Sequence, residues 1–562
     1  MKLLRLRVPH FVVAMAVLAI LFSTSQANTG GWKKTEPHAL ETNASEPHAF
    51  EPQIADPHKA EPQKADPQIA EPNAYGLNAS YQHVLAWEVQ NEAPKQTQPL
   101  KLRSRAWMGT RFGTTEETPD AGPAAGTDAA TPDPESEDPN VEDRREARPT
   151  DPVPHTGLMV EEVLGGTGER IGLMPGDRLT ELNGKPVADM SGLLSILADY
   201  REGDTVTATI VRGGNVIELE GTFASREPET HPKSEVIYTS APFRDGLLRV
   251  IINRPPGDEP MPALLFIPGY TCASIANFRE NHPYKRIIDA FVDAGYVTLR
   301  IEKSGLGDSW NTPDCASTDL LDEIESFEQG LKKLKSLPYV DPSRIIIYGH
   351  SMGGVVAPAI SARNDVAGVI VYGTTALSWY EYMLGLVRVQ NWLAGMDPIK
   401  HEQSVVDTYE MYYNFYIRGE SLEDMAADAR MDSLLRARMN YDDQGHIYGR
   451  NPEYWRQIQH QPHLENWMNT TAQVLVQFGE SDFQAYSLSA HEQIVRTVNH
   501  YHPGNATLAV FPLTDHYFAL SGTMQEAYDK LIGGQVLQLF DEYNPEVGHS
   551  AVSWSNRVAG LE

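Results

Sequence analysis

Short apolar runs recur through the C-terminal part of the chain and alternate with segments of helical character. Each run has three to six residues, rich in Ile, Val, Leu and Phe. Runs of this kind are typical of strands that are buried in a parallel sheet. They occupy residues 264–267, 296–301, 344–347, 369–371, 474–478 and 508–511. The pattern predicts an α/β domain with a mostly parallel sheet covered by helices.

The chain of 562 residues exceeds what one hydrophobic core usually organises, so two or three units are expected. The α/β domain is assigned to residues 236–545, and 546–562 are expected to form a C-terminal tail. Residues 376–472 are far more than a strand-to-strand crossover requires, and they are rich in helix-forming and aromatic residues. We expect this insertion to form a helical cap in which a few aromatic side chains face a substrate pocket.

The N-terminus has the pattern of a secretory signal peptide. Lys2, Arg5 and Arg7 precede an apolar run at 11–22, and small residues follow before position 28. The run is too short for the roughly 20 residues that span a bilayer, so we expect cleavage and no stable membrane span afterwards. Residues 1–27 are therefore the predicted signal peptide, and the expected location is periplasmic or secreted.

The formal charge of −30 is concentrated in two segments without aliphatic periodicity. Residues 36–72 carry eight acids and two lysines, and residues 114–152 carry twelve acids and three arginines. Such composition favours solvated segments and argues against nucleic acid as a partner. A five-residue repeat of an acid, proline, a polar residue and alanine within 51–72 forbids continuous helix. Residues 28–102 are predicted to be a Pro- and acid-rich linker.

The run at 344–347 leads into Gly349-His350-Ser351-Met352-Gly353, a G-x-S-x-G pattern. In a nucleophile elbow, small residues two before and two after the serine let the strand and helix backbones approach each other and expose the hydroxyl. Residues 353–360 favour a helix, in which Pro358 is tolerated only in the first turns. Ser351 is therefore a candidate nucleophile, and a strand-to-helix turn without chemistry is the alternative.

A serine nucleophile needs a base that takes its proton and an acid that holds the base in one tautomer. The run at 474–478 leads into Asp482, and the run at 508–511 leads into His516. Serine, acid and histidine thus each follow a predicted strand. Glu480 and Asp515 are lesser candidates for the acid.

This order and placement resemble the α/β-hydrolase superfamily, and within it the exported esterases and the dipeptidyl-aminopeptidase or acylaminoacyl-peptidase-like hydrolases. The resemblance implies that Ser351 is the nucleophile and His516 the general base and then acid. It implies that Asp482 orients the imidazole.

Acyl transfer also needs two N–H donors aimed at the developing oxyanion. The resemblance implies that Met352, directly after the nucleophile, supplies one. The second should come from the loop at 267–272, where Pro268-Gly269 replaces the His-Gly of relatives. Tyr270 is our choice for that donor, and Thr271 remains the alternative.

Two neighbouring loops contain the only cysteines of the chain, Cys272 and Cys315. In α/β-hydrolases the strands that precede these loops are neighbours in the sheet, and export favours oxidation, so a disulfide is expected. The segment 303–309 resembles the Gly-x-Gly-x-Ser turn of relatives, and a phosphate-binding loop is disfavoured because no G-K-[ST] follows. Asp308 in this turn is expected to be structural.

Residues 103–225 resemble a PDZ domain of the bacterial type, on the order of the motifs at 157–163, 170–179, 182–187 and 203–214. In that family a loop before a strand offers N–H groups to a peptide C-terminal carboxylate. The matching loop is Trp107, Met108, Gly109 and Thr110, although Thr110 stands where an apolar residue is usual. An acidic insertion at 114–154, expected to be disordered, interrupts the domain. The alternative is that this domain only packs against the α/β domain.

The predicted architecture is an α/β-hydrolase with a mostly parallel sheet and a helical cap insertion, preceded by a small PDZ-like β-rich domain. The predicted function is an exported serine hydrolase that cleaves carboxylic esters. The alternatives are a serine peptidase of the acylaminoacyl or dipeptidyl type and a non-catalytic PDZ-based binding protein. The expected partners are an ester or peptide substrate and a C-terminal peptide. No metal or organic cofactor is expected.

Overall fold

The computed structural model describes residues 102–113 and 156–562. The predicted signal peptide, all of the predicted linker except residue 102, and the acidic insertion at 114–154 lie outside the described residues. In the part of the chain that is described, no helix is both long and apolar enough to cross a bilayer.

Residues 102–113 and 156–225, here called the N-terminal β domain, form an antiparallel sheet with two short helices. The elements are β1 (Ala106–Trp107), β2 (Thr110–Gly113), β3 (Leu158–Val163), α1 (Gly166–Ile171), β4 (Arg178–Leu182), β5 (Lys185–Pro186), α2 (Met190–Ala198), β6 (Thr205–Arg212), β7 (Asn215–Thr222) and β8 (Ala224–Ser225). The strand order is β2-β3-β4-β6-β7, β5 pairs with β4, and β1 pairs with β8. Leu179, Leu182, Ala208 and Ile210 are fully buried in a core of its own. The strands and hairpin predicted between 157 and 187 are present.

The second domain is built on an eight-stranded sheet in the order β16-β15-β14-β13-β11-β12-β10-β9. Its first half consists of β9 (Glu235–Phe243), β10 (Gly246–Arg254), β11 (Met261–Ile267), α3 (Pro283–Asp293), β12 (Val297–Ile301), α4 (Leu320–Lys335), β13 (Val340–His350), α5 (Gly353–Ser361) and β14 (Gly368–Tyr372). The cap follows, with α6 (Trp379–Leu393), α7 (Pro398–Tyr412), a π-helical turn (Tyr413–Ile417), α8 (Leu422–Ala426), α9 (Ala429–Met439), α10 (Pro452–Gln459) and α11 (His463–Asn469). The chain closes with β15 (Gln473–Gly479), α12 (Leu488–Tyr501), β16 (Ala506–Phe511), α13 (Met524–Ile532), α14 (Val536–Asp541) and α15 (Pro545–Val558).

The six strands predicted from apolar runs are all present, and they pair in parallel. The sheet is extended by the β9–β10 hairpin, and β10 pairs antiparallel with β12. The sequence analysis assigned no elements to this hairpin. It contributes a two-strand edge on the side of the sheet farthest from β16.

Successive residues of the central strands enter different cores, because side chains alternate across a sheet. Leu265 of β11 and Ile347 of β13 lie in a core with α4, α5 and the cap. Their neighbours Leu264 and Ile346 lie in a core with α3 and α15. Both faces of the sheet are therefore covered, which explains why the runs read as continuous apolar segments.

The C-terminal segment differs from the expected tail. Residues 545–558 form α15, with Asn544 as N-cap and Pro545 in the first turn. Val547 and Ala551 are fully buried on the sheet, and the Trp554 ring leaves no room for a side chain at Gly368 in β14. The assignment of 546–562 as a tail is wrong for this reason. Its apolar residues lie at helical spacing and pack on one face of the sheet.

The two domains touch through the turn that follows β12. The backbone N–H of Arg105 donates to Asp308 Oδ1 at 2.6 Å, and the Arg105 guanidinium donates to Gly305 O at 3.2 Å. The other oxygen of Asp308 accepts from Arg249 at 3.0 Å. Asp308 is thus a structural residue, as expected, that holds Arg249 of its own domain and Arg105 of the N-terminal β domain.

We predict that the second domain folds without the first. A chain that begins at residue 226 retains the ion pair between Glu229 and Arg300 at 2.6 Å. It also retains the ion pair between Asp308 and Arg249. We expect one cooperative thermal transition by calorimetry, at a lower Tm than that of the mature chain because the Arg105 contacts are lost. The Arg105→Ala variant should shift Tm in the same direction by less. An insoluble or unfolded 226–562 protein would contradict the prediction.

Candidate active site

Ser351 lies in a strained turn between β13 and α5. Its φ of +56° falls in the left-handed region, which residues other than glycine rarely adopt. The turn is tight because two glycines lack side chains. A Cβ on Gly349 would lie 2.2 Å from Gly353 O, and a Cβ on Gly353 would lie 2.3 Å from Ile267 O. This is the elbow that the G-x-S-x-G pattern predicts, and it leaves Ser351 partly exposed.

Asp482 and His516 meet at the same end of the sheet. Asp482 follows β15, His516 follows β16, and His516 Nδ1 lies 2.7 Å from Asp482 Oδ2. The second oxygen of Asp482 accepts the N–H groups of Gln484 and Ala485 at 2.8 and 2.7 Å. Burial acts to raise the pKa of Asp482, but attraction to His516 and these hydrogen bonds outweigh it, so the pKa is lowered. Asp482 is therefore held as a carboxylate.

The two lesser candidates for the acid are placed differently. Asp515 is buried, and its Oδ1 accepts the N–H groups of Tyr517 and Ala519 at 2.8 and 3.0 Å. Burial raises the pKa of Asp515 to about 7. Glu480 is exposed. Asp515 thus closes the turn that contains His516, and Asp482 is the acid that contacts the imidazole.

Gly373 is a site residue that the sequence analysis missed. It follows β14 with a φ of +61°, and a Cβ there would lie 3.0 Å from both Asp482 Oδ2 and His516 Nδ1. A side chain at this position would push the carboxylate and the imidazole apart. The signal in the sequence is a glycine directly after a buried strand, in Val371-Tyr372-Gly373.

The loop after β11 passes beside the nucleophile. A Cβ on Gly269 would lie 3.4 Å from Ser351 Cβ. Gly269 N–H donates to Tyr284 Oη at 3.3 Å, and Gly269 O accepts from Lys303 Nζ at 2.6 Å. Tyr270 O accepts from Arg450 at 2.7 Å. The predicted oxyanion segment is therefore next to Ser351, and Met352 is the N-cap residue of α5.

His350, the variable residue of the pattern, links this loop to His516. His350 Nε2 lies 2.9 Å from His516 O, and its Nδ1 lies 2.8 Å from Tyr284 Oη. Because a carbonyl only accepts, Nε2 carries the proton and Tyr284 donates to Nδ1. Burial lowers the pKa of His350 to about 3, so it stays neutral. The chain of hydrogen bonds thus runs from Gly269 N–H through Tyr284 and His350 to the backbone of His516.

A small pocket opens beside Ser351, with a cavity volume of about 30 Å³. Its lining comes from the elbow with α5, the loop after β14, the cap and the loop after β15: Ser351, Met352, Val355, Gly373, Thr374, Thr375, Trp379, Tyr382 and Ala485. Trp379 Nε1 donates to Tyr416 Oη at 3.1 Å, and Tyr382 Oη donates to Gln484 O at 3.0 Å. The cap residues Trp379 and Tyr382 thus line the pocket, and their polar atoms donate hydrogen bonds to residues outside its lining.

Cys272 and Cys315 form a disulfide across 43 residues, as the sequence predicts. Cys315 is buried, and Cys272 directly follows the segment Tyr270-Thr271. The bond therefore ties the loop beside Ser351 to the segment that follows β12. Among the described residues, no group of three or more His, Cys, Asp or Glu side chains is placed to hold a metal ion.

The geometry of the elbow, the Asp482–His516 pair and the parallel sheet defines the fold of an α/β-hydrolase. Residues 264–529 match the model of the Alpha/beta hydrolase family. The second domain therefore has the α/β-hydrolase fold, as predicted, and the prediction of an enzyme, a serine hydrolase, is confirmed.

The individual relatives are similar over limited segments. Esterase EstD from Thermotoga maritima is 25% identical over 159 residues, which are 28% of this chain and 36% of that protein. A probable periplasmic serine endoprotease, DegP-like, from Marinomonas sp. (strain MWYL1) is 40% identical over 58 residues, 10% of this chain and 12% of that protein. The structure of Est1E from Butyrivibrio proteoclasticus is 15% identical, with a TM-score of 0.33, and the match covers 54% of this chain and 98% of that chain.

The disulfide predicts a joint effect on stability and activity. Closing a loop of 43 residues should stabilise the fold by about 4 kcal/mol in the chain-entropy model. Reduction, or the Cys272→Ser/Cys315→Ser double substitution, should lower Tm. It should also slow ester hydrolysis at temperatures where the protein stays folded, because Tyr270-Thr271 loses its tether. The double variant is the control, since a reductant should not change it. Full activity in the folded double variant would contradict this role.

Proposed function

We propose that this protein is an exported serine hydrolase that cleaves carboxylic esters through an acyl-enzyme. The observation that carries the proposal is the buried Asp482–His516 contact of 2.7 Å at the end of the sheet where the elbow exposes Ser351. A strained backbone at a nucleophile is typical of functional sites. Export is supported by the N-terminal pattern and by the disulfide. A protein that is found inside the cell with residues 1–27 still attached would contradict export.

The proposed reaction begins when Ser351 Oγ attacks the ester carbonyl and its proton passes to His516 Nε2. Asp482 accepts from Nδ1–H, so it fixes the tautomer in which Nε2 is free to take that proton. The backbone N–H groups of Met352 and Tyr270 stabilise the tetrahedral oxyanion. His516 then protonates the leaving alcohol. Water, deprotonated by His516, releases the acid from Ser351.

The pocket supports a small apolar acyl or alcohol group as substrate. Among the residues that line it, none is charged, and its larger apolar side chains are Met352, Val355, Trp379 and Tyr382. A dipeptidyl-aminopeptidase needs an acidic side chain to anchor a substrate amine, and this lining provides none. A peptidase for blocked N-termini needs no such anchor and remains the second candidate. The relative rates for acyl esters and N-acyl amino acid amides decide between them.

The first prediction concerns the three catalytic side chains. Ser351→Ala should abolish hydrolysis of p-nitrophenyl acetate and labelling by a fluorophosphonate probe. Asp482→Asn should lower kcat by about 10³–10⁴-fold, because the imidazole loses the partner that fixes its tautomer. The matched control is Glu480→Gln, an exposed acid two residues away, which should keep kcat. Hydrolysis that survives in Ser351→Ala, or equal effects of the two acid substitutions, would exclude the assignment.

For the N-terminal β domain we propose capture of a peptide C-terminus. The loop of Trp107, Met108, Gly109 and Thr110 precedes β2, which is the last strand of its sheet. An edge strand can pair with an added peptide strand. Gly109 has a φ of +65°, and a Cβ there would lie 2.2 Å from Gly165 O. Thr110 Oγ1 donates to Met108 O at 3.3 Å, which places a hydroxyl where relatives have an apolar side chain.

This second part of the proposal predicts dependence on a free carboxylate. Apolar peptides with a free C-terminus should bind the mature protein with micromolar affinity by fluorescence anisotropy, and the same peptides amidated should bind at least tenfold more weakly. The 226–562 protein is the control and should bind neither. Equal binding of the free and amidated peptides would favour the alternative in which this domain only packs against the hydrolase.

A further inference from the structure

Three buried charged side chains form a cluster behind the loop that passes Ser351. Lys303 follows β12, Glu323 lies in α4 and Arg450 belongs to the cap. Lys303 Nζ lies 3.1 Å from Glu323 Oε1, and Arg450 lies 2.8 Å from Glu323 Oε2. The side chains are 1 to 2% exposed. Tyr454 Oη adds a hydrogen bond of 3.1 Å to Glu323, so both carboxylate oxygens are engaged.

The two cations of the cluster bind two successive carbonyl oxygens of the loop. Lys303 Nζ donates to Gly269 O at 2.6 Å, and Arg450 donates to Tyr270 O at 2.7 Å. On the other side of Gly269, its N–H donates to Tyr284 Oη. Three consecutive peptide groups are therefore fixed by side chains from three different elements.

Because a peptide group is planar, these contacts to carbonyl oxygens also fix the directions of the N–H groups in the same peptide groups. In a trans peptide the C=O and N–H point in opposite directions. With Gly269 O directed at Lys303, the N–H of Tyr270 points away from the cluster. With Tyr270 O directed at Arg450, the N–H of Thr271 likewise points away from the cluster. The cluster thus sets the direction of both candidate donors for the oxyanion.

The composition of the cluster is unusual for a purely structural core. Buried ion pairs often stabilise a fold no more than apolar residues of the same volume would. Here two cations share one carboxylate, so the cluster has a net positive charge next to the segment that would face a developing negative charge. The Coulomb interaction of a buried cation with an oxyanion is favourable and is weakly screened by water.

We propose that Lys303 and Arg450, bridged by Glu323, are positioning residues that hold the oxyanion donor of this hydrolase. The inference rests on the proposed function. It assigns no contact between these side chains and the substrate. Their effect is on the orientation of the Gly269–Tyr270 and Tyr270–Thr271 peptide groups, and hence on the transition state more than on the bound ester.

The test compares Lys303→Met with Arg300→Met. Arg300 is a matched control because it is also a buried cation: it lies in β12, and its side chain is 4% exposed. It pairs with Glu229 at 2.6 Å and donates to Ile275 O, in the loop that follows β11, at 2.9 Å. For p-nitrophenyl acetate, Lys303→Met should lower kcat by about 30- to 100-fold with KM changed less than about threefold, since removal of an oxyanion donor costs 10²–10³-fold. Affinity for a trifluoromethyl ketone, whose hemiketal oxyanion mimics the transition state, should fall in proportion to kcat. Lys303→Arg should restore part of kcat, and Arg300→Met should lower Tm with kcat retained.

The outcomes separate this inference from the proposed function. Wild-type hydrolysis that does not depend on Ser351 contradicts the function itself. If hydrolysis depends on Ser351, but the folded Lys303→Met variant has the same kcat as Arg300→Met, the positioning role is overturned. If Lys303→Met does not fold, Glu323→Gln takes its place, because it keeps the volume and removes the charge that bridges the two cations. A Glu323→Gln protein with unchanged kcat and unchanged ketone affinity would equally overturn the proposal.

Discussion

The site depends on the close approach of three backbone segments at Ser351. Its left-handed conformation would be unfavourable for an isolated serine, and it persists because the surrounding elements β11, β13 and α5 are packed closely at this point. Gly349 and Gly353 make that approach possible, since a Cβ on either would lie within 2.3 Å of a carbonyl oxygen. The same approach brings Gly269 of the next loop against Ser351. One steric constraint therefore exposes Ser351 and brings the loop at Gly269 against it.

Around this point the fold supplies fixed polar partners. Asp482 holds His516 from β15, and His350 holds the backbone of His516 from β13. Lys303 and Arg450 hold the carbonyls beside Ser351 from the β12 turn and from the cap. These partners come from different elements, so the sheet and the cap both contribute contacts around Ser351. The cap thus contributes to the catalytic end as well as to the pocket.

Much of this arrangement could be predicted from the sequence. The parallel strands are buried on both faces, so each one appears as an apolar run. A residue that directly follows such a run is placed by the strand before it, which is why the sequence predicts that Ser351, Asp482 and His516 lie at the same end of the sheet. The disulfide was expected from the resemblance to α/β-hydrolases, in which these two loops leave neighbouring strands, and each loop contains one of the two cysteines.

The remainder depends on contacts between distant segments. Nothing near Gly373 in the sequence shows that it faces the Asp482–His516 pair, and 127 residues separate Glu323 from its partner Arg450. The helix α15 was missed because its apolar residues are spread at helix spacing and form no compact run, whereas the edge hairpin does contain one, Val250-Ile251-Ile252. The assignment of Trp379 and Tyr382 to the pocket, among many cap aromatics, required the packing of α6.

The central claim is that an acyl group is carried on Ser351. The most direct measurement is rapid acid quench of the enzyme during turnover of p-nitrophenyl acetate, followed by proteolysis and mass spectrometry of the peptide that contains Ser351. The account predicts an added acetyl group on Ser351 that disappears when the ester is exhausted. An acetyl group that accumulates elsewhere, with none on Ser351 at any quench time, would contradict it.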